Sequence, residues 1–441
     1  MEGIIEEYIR YKIRTVGVIL NTLENSFAAI LAAMLVCEKV YLLDPTMGSN
    51  IKERLSEDYL IDGIYHEKGL SVSIKNENSL NDIYVKIPID KMKENNPDIC
   101  IFTSGTTGKP KTIVLDLIRL SYIYSVGEYS FHEYLPLVSG CPFDITGLGL
   151  LGMCFLFPLY TQGHTVLLDP FSYVEPEIYF RKLKEYGVNF QYFVPAIIKN
   201  ILLSEVDFSN YCSGIVTVSG GALLNHKIQD EYQKYFSKLA NVYGVSECGF
   251  AVLFGSYDNT TGKYRNDVGK PIGIEVKIDH SLTSLHGKGS LLIKSKSLMK
   301  YYEGDKDKTL SLIDEEGYFK TNDLASINED GTVNIYGRND LSINKSGNLI
   351  NLEQVNALLE ENFGVIEAVS VPINDDYLGQ DYISIVQVSK VMNVDDLKTN
   401  LSNWIGGSRL PKKIYITEIE LPRNKSGKID RKLIKKMISE I

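Results

Sequence analysis

Buried-strand runs alternating with helical runs constrain this chain more than any other feature. "SFAAILAAMLV" reads as an apolar helix, while "KVYLLD", "DICIF", "HTVLLD", "NFQYFVP" and "GIVTVSGG" read as strands with few polar interruptions. Strands apolar on both faces and separated by helices predict parallel sheets covered on both sides. From about Asp267 the texture changes: "EVKIDH", "GSLLIKS" and "TVNIYGR" alternate in short segments between turn residues, which predicts a more antiparallel, barrel-like region. After "YGRND" come a helix near "NLEQVNALLEEN" and strands near "IEAVSVPI" and "YISIVQV", enough for a separate α+β domain of roughly a hundred residues. The expected fold is α/β. A large N-terminal domain over 1–338 combines parallel-rich sheets, helices and the barrel-like subdomain, and a small α+β C-terminal domain covers 339–441.

With 441 residues, 44% of them hydrophobic, the chain can bury cores for two or three domains. A net charge of −10 argues against general binding to nucleic acid or to an anionic membrane. The six cysteines form no C-x-x-C pair and the six histidines are dispersed, the pattern of reduced, buried thiols in a cytoplasmic protein without structural zinc. "MEGIIEEYIRYK" lacks the layout of a signal peptide. The longest apolar run, Ile145 to Tyr160, is too short for a membrane span and contains Pro158 and three glycines; it predicts a buried helix.

"TSGTTGKPK" (103–111) follows the strand "DICIF" and offers backbone and hydroxyl donors suited to phosphate oxygens. It is not a Walker loop: Thr103 stands where the first glycine belongs, and Pro110 follows Lys109 where a magnesium-binding hydroxyl is needed. An ordinary solvent turn is the alternative. A second glycine motif, "GLGLLG" (147–152), with Asp169 closing the next strand, is close to a dinucleotide fingerprint. Against it, "CPFDIT" is a poor buried strand and glycines are common in tightly packed helices.

Further stretches follow in order: "VSGGALLN" (218–225), "NVYGVSECG" (241–249), "GYFKTNDLA" (317–325), "IYGRNDLSINKSGNLINLEQV" (335–355) and "LPRNKSGKIDRK" (421–432). With "TSGTTGKPK" they resemble the core motifs of the adenylate-forming superfamily, which comprises acyl-CoA synthetases, adenylation domains of nonribosomal peptide synthetases, and luciferases. The resemblance runs from about Val16 onward. It implies ATP-dependent activation of a carboxylic acid to an acyl-adenylate with loss of pyrophosphate, then transfer to a thiol, with ATP and Mg2+ as cofactors. It carries ATP-binding roles onto Thr103, Ser104, Gly105, Thr106, Thr107, Gly108 and Lys109 of the phosphate loop. It places Tyr243 and Gly244 at adenine, and Gly220, Gly221 and Ala222 along the adenine and acyl pockets. Ser246 stands in for the usual threonine, and Glu247 matches the magnesium ligand. Asp323 matches the acid that accepts the ribose hydroxyls, although Asn322 replaces the glycine common before it, and Arg338 matches an arginine at ribose and phosphate. Lys428 matches the lysine bridging substrate carboxylate and phosphate; read alone, it is one charge in a basic tail. The resemblance also makes the C-terminal domain mobile, with a hinge at Asp340 and Gly347 beside an incoming pantetheine arm.

Substrate choice stays open at this level. "FDIT", with Phe143 and Asp144, resembles the "FD-x-S" element of amino-acid adenylation domains, in which the aspartate pairs with an α-ammonium. The downstream run "PLYTQGHTVLLDPFSYVEP" instead resembles fatty acyl-AMP ligases, and Phe143 could then gate an acyl tunnel. The short N-terminal region and the lack of a carrier domain after Ile441 favour a compact enzyme that loads a phosphopantetheinyl carrier protein in trans, with coenzyme A as the other acceptor. Two competing functions are an oxidoreductase built on "GLGLLG" and a catalytically silent scaffold of the same fold.

Overall fold

The computed structural model describes residues 1–19, 23–43, 61–66, 69–72, 94–103, 111–142, 151–168, 171, 175–204, 209–235, 238–280, 288–345, 348–362, 364–375, 378–423 and 429–439. Its first sheet has seven strands, in the order Tyr301–Tyr302, Lys111–Asp116, Asp98–Thr103, Lys39–Leu43, Thr15–Ile19, Gly63–His66 and Gly69–Val72. The central strands are parallel. Helix Leu23–Val36 makes the crossover between the first two, burying Phe27, Ile30, Ala33 and Met34, as a parallel connection requires. Asp98–Thr103 and Lys111–Asp116 run antiparallel with Thr103 opposite Lys111. Both ends of the "TSGTTGKPK" motif are therefore fixed by one ladder.

The second sheet has the order Leu253–Phe254, Lys238–Tyr243, Val216–Ser219, Phe190–Phe193, Val138–Cys141 and His164–Leu167, and all its pairings but the first are parallel. Every residue of Phe190–Phe193 and Val216–Ser219 is buried, the polar Gln191, Thr217 and Ser219 among them. Rings of Phe131, Phe157, Phe190, Phe254, Tyr124 and Phe250 interlock edge-to-face and stacked within the largest core cluster, geometries that add to simple area burial.

A third sheet of Glu275–Asp279, Gly289–Lys294, Phe319–Ile327 and Val333–Arg338 is wholly antiparallel. The last sheet comprises Ser342–Lys345, Asn348–Asn351, Val365–Asp375, Gly379–Val388 and Lys413–Thr417, with helices Leu352–Glu360 and Val394–Ile405 packed in a core of its own. Asn351 caps the first of these helices by accepting from Glu353 N and Gln354 N, both at 3.0 Å.

The run predicted as one buried helix is only partly so. Leu151–Leu156 forms a wholly buried π-helical turn and Phe157–Tyr160 a short α-helix; π turns recur at functional sites. In "GLGLLG", residues 147–150 lie outside the described residues, and Gly152 is a packing glycine. A side-chain carbon there would meet the Phe250 ring at 2.7 Å. All six cysteines are free and buried. No described helix is long and apolar enough to cross a membrane.

Candidate active site

The two glycine-bearing segments "SGG" and "YGVSE" leave adjacent parallel strands of the second sheet at their carboxyl ends, where open α/β sheets bind ligands. Gly220 lies against Val242 and Gly221 is left-handed at φ +82, near the Tyr192 hydroxyl. Gly221 and Ala222 are exposed. At Gly244 a side-chain carbon would sit 1.2 Å from the Phe250 carbonyl oxygen. Only glycine lets the chain cross there. Ser246 and Glu247 follow in a short 3-10 turn ended by left-handed Gly249.

Tyr243 closes its strand, almost fully buried, and donates its hydroxyl to Asp323 Oδ2 at 2.5 Å. Burial and then the Asp323 charge push the phenol up, so it stays a neutral donor. Asp323 itself is 5% exposed. Its backbone is held by Thr321 Oγ1 at 3.1 Å, and Arg338 Nη1 lies 3.4 Å from its other oxygen. Asp323 and Arg338 are register partners across two antiparallel strands.

Asn322, the departure from the expected glycine, explains how this acid is aimed. Its φ of +64 is left-handed, a conformation that asparagine tolerates better than most residues. Around it the strand bulges: Ser290 faces Leu324 and Leu292 faces Lys320, leaving Thr321, Asn322 and Asp323 against Leu291 alone. The bulge buries Thr321 and Asp323 together and re-aims the carboxylate at Tyr243, a usual service of bulges beside functional sites. The backbone demand was met by a different residue.

Glu247 Oε1 accepts a 2.5 Å hydrogen bond from Tyr302, which is 2% exposed. Burial and the Glu247 charge hold that phenol neutral. Lys111 Nζ stands 5.5 Å and Lys308 Nζ 5.9 Å from the Tyr302 ring centroid. Burial, then the neighbouring Lys308 ammonium, lowers the Lys111 pKa. The single carboxylate of Glu247 fits Mg2+, which keeps most of its waters and takes one or two carboxylates plus phosphate oxygens.

Arg338 also anchors the chain toward the last sheet. Its N–H donates to Glu353 Oε2 at 2.8 Å, and its carbonyl accepts from Asn351 Nδ2 at 2.9 Å. Glu353 in turn lies 3.5 Å from Arg431. Asp340 falls in the turn Asn339–Leu341.

Of the residues expected from the sequence, the structure joins Tyr243, Asp323 and Arg338 in one chain and pairs Glu247 with Tyr302, while Gly244 and Ser246 follow Tyr243, and Gly220, Gly221 and Ala222 follow the adjacent strand. Thr103 ends its strand; Ser104, Gly105, Thr106, Thr107, Gly108, Lys109, Phe143, Asp144, Gly347 and Lys428 lie outside the described residues. Lys111, Tyr302 and Lys308 were missed. Lys111 was in view as the second lysine of "GKPK". Tyr302 and Lys308, in "YYEGDKDKT", bear no spacing signal, because only the pairing of Tyr302 with Ile113 brings them to the site.

Comparison with known proteins shows the family. The profile of the family described as AMP-binding enzyme matches residues 19–303. The chain is 27% identical to 2-succinylbenzoate–CoA ligase of Staphylococcus epidermidis over 76% of its length and 69% of the relative's. It is also 27% identical to D-alanine–D-alanyl carrier protein ligase of the same species, over 79% and 73%. Its fold matches ATP-bound MatB of Rhodopseudomonas palustris with a TM-score of 0.83 at 16% identity, covering 99% of this chain and 92% of that one. It also matches O-succinylbenzoate coenzyme A synthetase of Bacillus subtilis, solved with ATP and magnesium ion, at 0.80 and 18% identity over 98% and 92%. The family match displaces the oxidoreductase alternative. The chain belongs to the AMP-binding enzymes, the acid–thiol ligases that use ATP and Mg2+ to form an acyl-adenylate from a carboxylic acid and then pass the acyl group to a thiol.

Proposed function

We propose that this enzyme activates a carboxylic acid whose remainder is uncharged, and loads it onto a pantetheine thiol. The observation that carries the residue assignment is the Tyr243–Asp323–Arg338 chain standing beside the Glu247–Tyr302 pair. Tyr243 offers its ring to adenine, and Asp323 takes the ribose hydroxyls with its paired acceptors. Arg338 lies between ribose and phosphate, the loop from Thr103 to Lys109 holds the phosphates, and Gly220, Gly221 and Ala222 line the adenine and acyl pockets. Glu247 would hold Mg2+, which neutralises phosphate charge when bound. Lys428 sits between carboxylate and α-phosphate, where opposed anions need a cation. The unit 339–441 then turns about Asp340, withdrawing Lys428 and bringing Gly347 beside the thiol arm. This is rigid-body switching about a hinge.

The uncharged remainder is supported by the described wall. Gly220 and Gly221 have Val242 and Tyr192 as nearest side chains, and Leu151–Leu156, packed on Val138–Cys141, His164–Leu167 and Phe190–Phe193 of the same sheet, carries no charge. We place the reaction in the cytoplasm, where ATP and pantetheine thiols meet.

The test is a panel of neutral, dicarboxylic and amino acids, read as acid-dependent release of pyrophosphate from ATP. Thioester, with the AMP released alongside it, is then assayed with coenzyme A and with a phosphopantetheinylated carrier protein. Neutral acids should release pyrophosphate, and one acceptor should give thioester and AMP. Release with amino acids alone would make Asp144 an ammonium partner and overturn the uncharged remainder. No pyrophosphate with any acid would contradict the adenylating role.

A further inference from the structure

We infer that Lys308 is a phosphate-binding residue, acting with Lys111 to seat the β- and γ-phosphates of ATP and the departing pyrophosphate. The inference rests on the adenylating reading above and adds a residue that none of the motifs carrying the resemblance contains. Lys111 opens the strand immediately after the phosphate loop and is held opposite Thr103. The neighbouring strand, Tyr301–Tyr302, pairs with that strand and brings helix Lys306–Ser311 alongside.

Lys308 is fixed there by its own helix. Its N–H donates to the capping Asp305 Oδ1 at 3.1 Å. Thr309 Oγ1, one residue on, accepts from Tyr302 N at 2.8 Å and donates to Asp305 O at 3.1 Å. The Lys111 and Lys308 ammonium groups both lie within 6 Å of the Tyr302 ring centroid and approach one another. The charges acting most strongly on Lys111 are Lys308, Glu247 and Arg338, two cations against one acid.

Two like charges held beside one ring repel one another. A fold that fixes them so is complementary to a polyanion. When the carboxylate oxygen bonds to the α-phosphorus, the bond from that phosphorus to the bridging oxygen breaks and its electron pair leaves on pyrophosphate. A pair of ammonium groups ahead of the loop meets that growing charge, and preorganised donors of this kind cost no reorganisation at the moment of reaction. Tyr302 supplies a shared aromatic face to both cations while its hydroxyl orients Glu247.

Lys308→Met and Lys308→Arg are compared with the wild type in two assays. The first is acid-dependent ATP–pyrophosphate exchange with ATP, pyrophosphate and acid varied separately. The second is single-turnover thioester formation from synthetic acyl-adenylate, which lacks the β- and γ-phosphates. Lys308→Met should raise KM for ATP and for pyrophosphate about tenfold, roughly one charge-assisted contact, and leave KM for the acid and the acyl-adenylate turnover unchanged. Lys308→Arg should recover most of the loss. Exchange by Lys308→Met equal to the wild type overturns the assignment, as does equal impairment of both half-reactions by both variants, which marks a packing role. A wild type without exchange for any acid overturns the adenylating reading itself, and the Lys308 assignment with it.

Discussion

In the proposed site the nucleoside end and the phosphate end solve opposite electrostatic problems. At the nucleoside end Asp323 is nearly buried and already paired, with Tyr243 on one oxygen and Arg338 near the other. It is self-neutralised before any ligand arrives. At the phosphate end Lys111 and Lys308 crowd one aromatic ring, with Glu247 tied to its hydroxyl. That end gathers cations around one acid. The contrast teaches a division of labour: uncharged parts of a ligand are met by completed hydrogen-bond networks, and its charged parts by deliberate imbalance.

Substitutions can break this contrast in order of expected size. Asp323→Asn removes the charge that Arg338 and Tyr243 share and one of the two ribose acceptors. It should lower kcat/KM for ATP about a hundredfold, since hydrogen bonds to a charged group contribute ~1.5–3 kcal/mol each. An unchanged KM for ATP in exchange assays would remove Asp323 from the ribose site. Tyr302→Phe sharpens the phosphate side. Losing the bond to Glu247 should cost about fivefold in kcat, near 1 kcal/mol, with a shallower dependence on Mg2+ concentration; full activity would mean that Glu247 needs no orienting partner.

Two stability measurements probe how the ends are built. Asn322→Val forces a β-branched residue into left-handed backbone and should lower stability by ~1–2 kcal/mol, read as a fall in Tm, whereas Asn322→Gly should lie within a few tenths. Equal Tm values would show that the bulge does not depend on this residue. Last comes Lys199→Met. Lys199 Nζ lies 2.6 Å from Glu360 Oε2 and 2.9 Å from the Ile366 carbonyl, linking helix Pro195–Leu203 to the C-terminal unit. Both partners are about 15% exposed, so the variant leaves Glu360 largely desolvated with its bond from Ala368 N, a loss that can reach ~3 kcal/mol of stability; on activity its effect is the smallest, a few-fold shift in the ratio of exchange to thioester formation. No shift in that ratio would mean that this contact does not bias the domain arrangement.

Much of this was legible in the sequence because the relevant physics is local. Continuous apolar runs marked the parallel strands, and the change in periodicity after Asp267 marked the antiparallel sheet. Tyr243 at its strand end and Glu247 in the turn after it came with their glycines in one short motif. What was illegible depended on register between distant strands. Tyr302 and Lys308 reach the site through pairing with a strand nearly two hundred residues earlier, and no spacing within "YYEGDKDKT" encodes that. The apolar run ending at Tyr160 gave burial but not its π-helical turn, since period alone does not distinguish the two helical windings. Asn322 raised a doubt about backbone geometry, and its left-handed conformation resolves it.

Acid-dependent ATP–pyrophosphate exchange by the wild type and by Lys428→Ala tests the central claim most directly. The account predicts exchange with at least one class of acid, and a fall of about 10²–10³-fold in the variant, the usual effect of removing one transition-state contact. Thioester formation from preformed acyl-adenylate should survive in the same variant. Exchange undiminished by Lys428→Ala, or absent from the wild type across the panel, would contradict it.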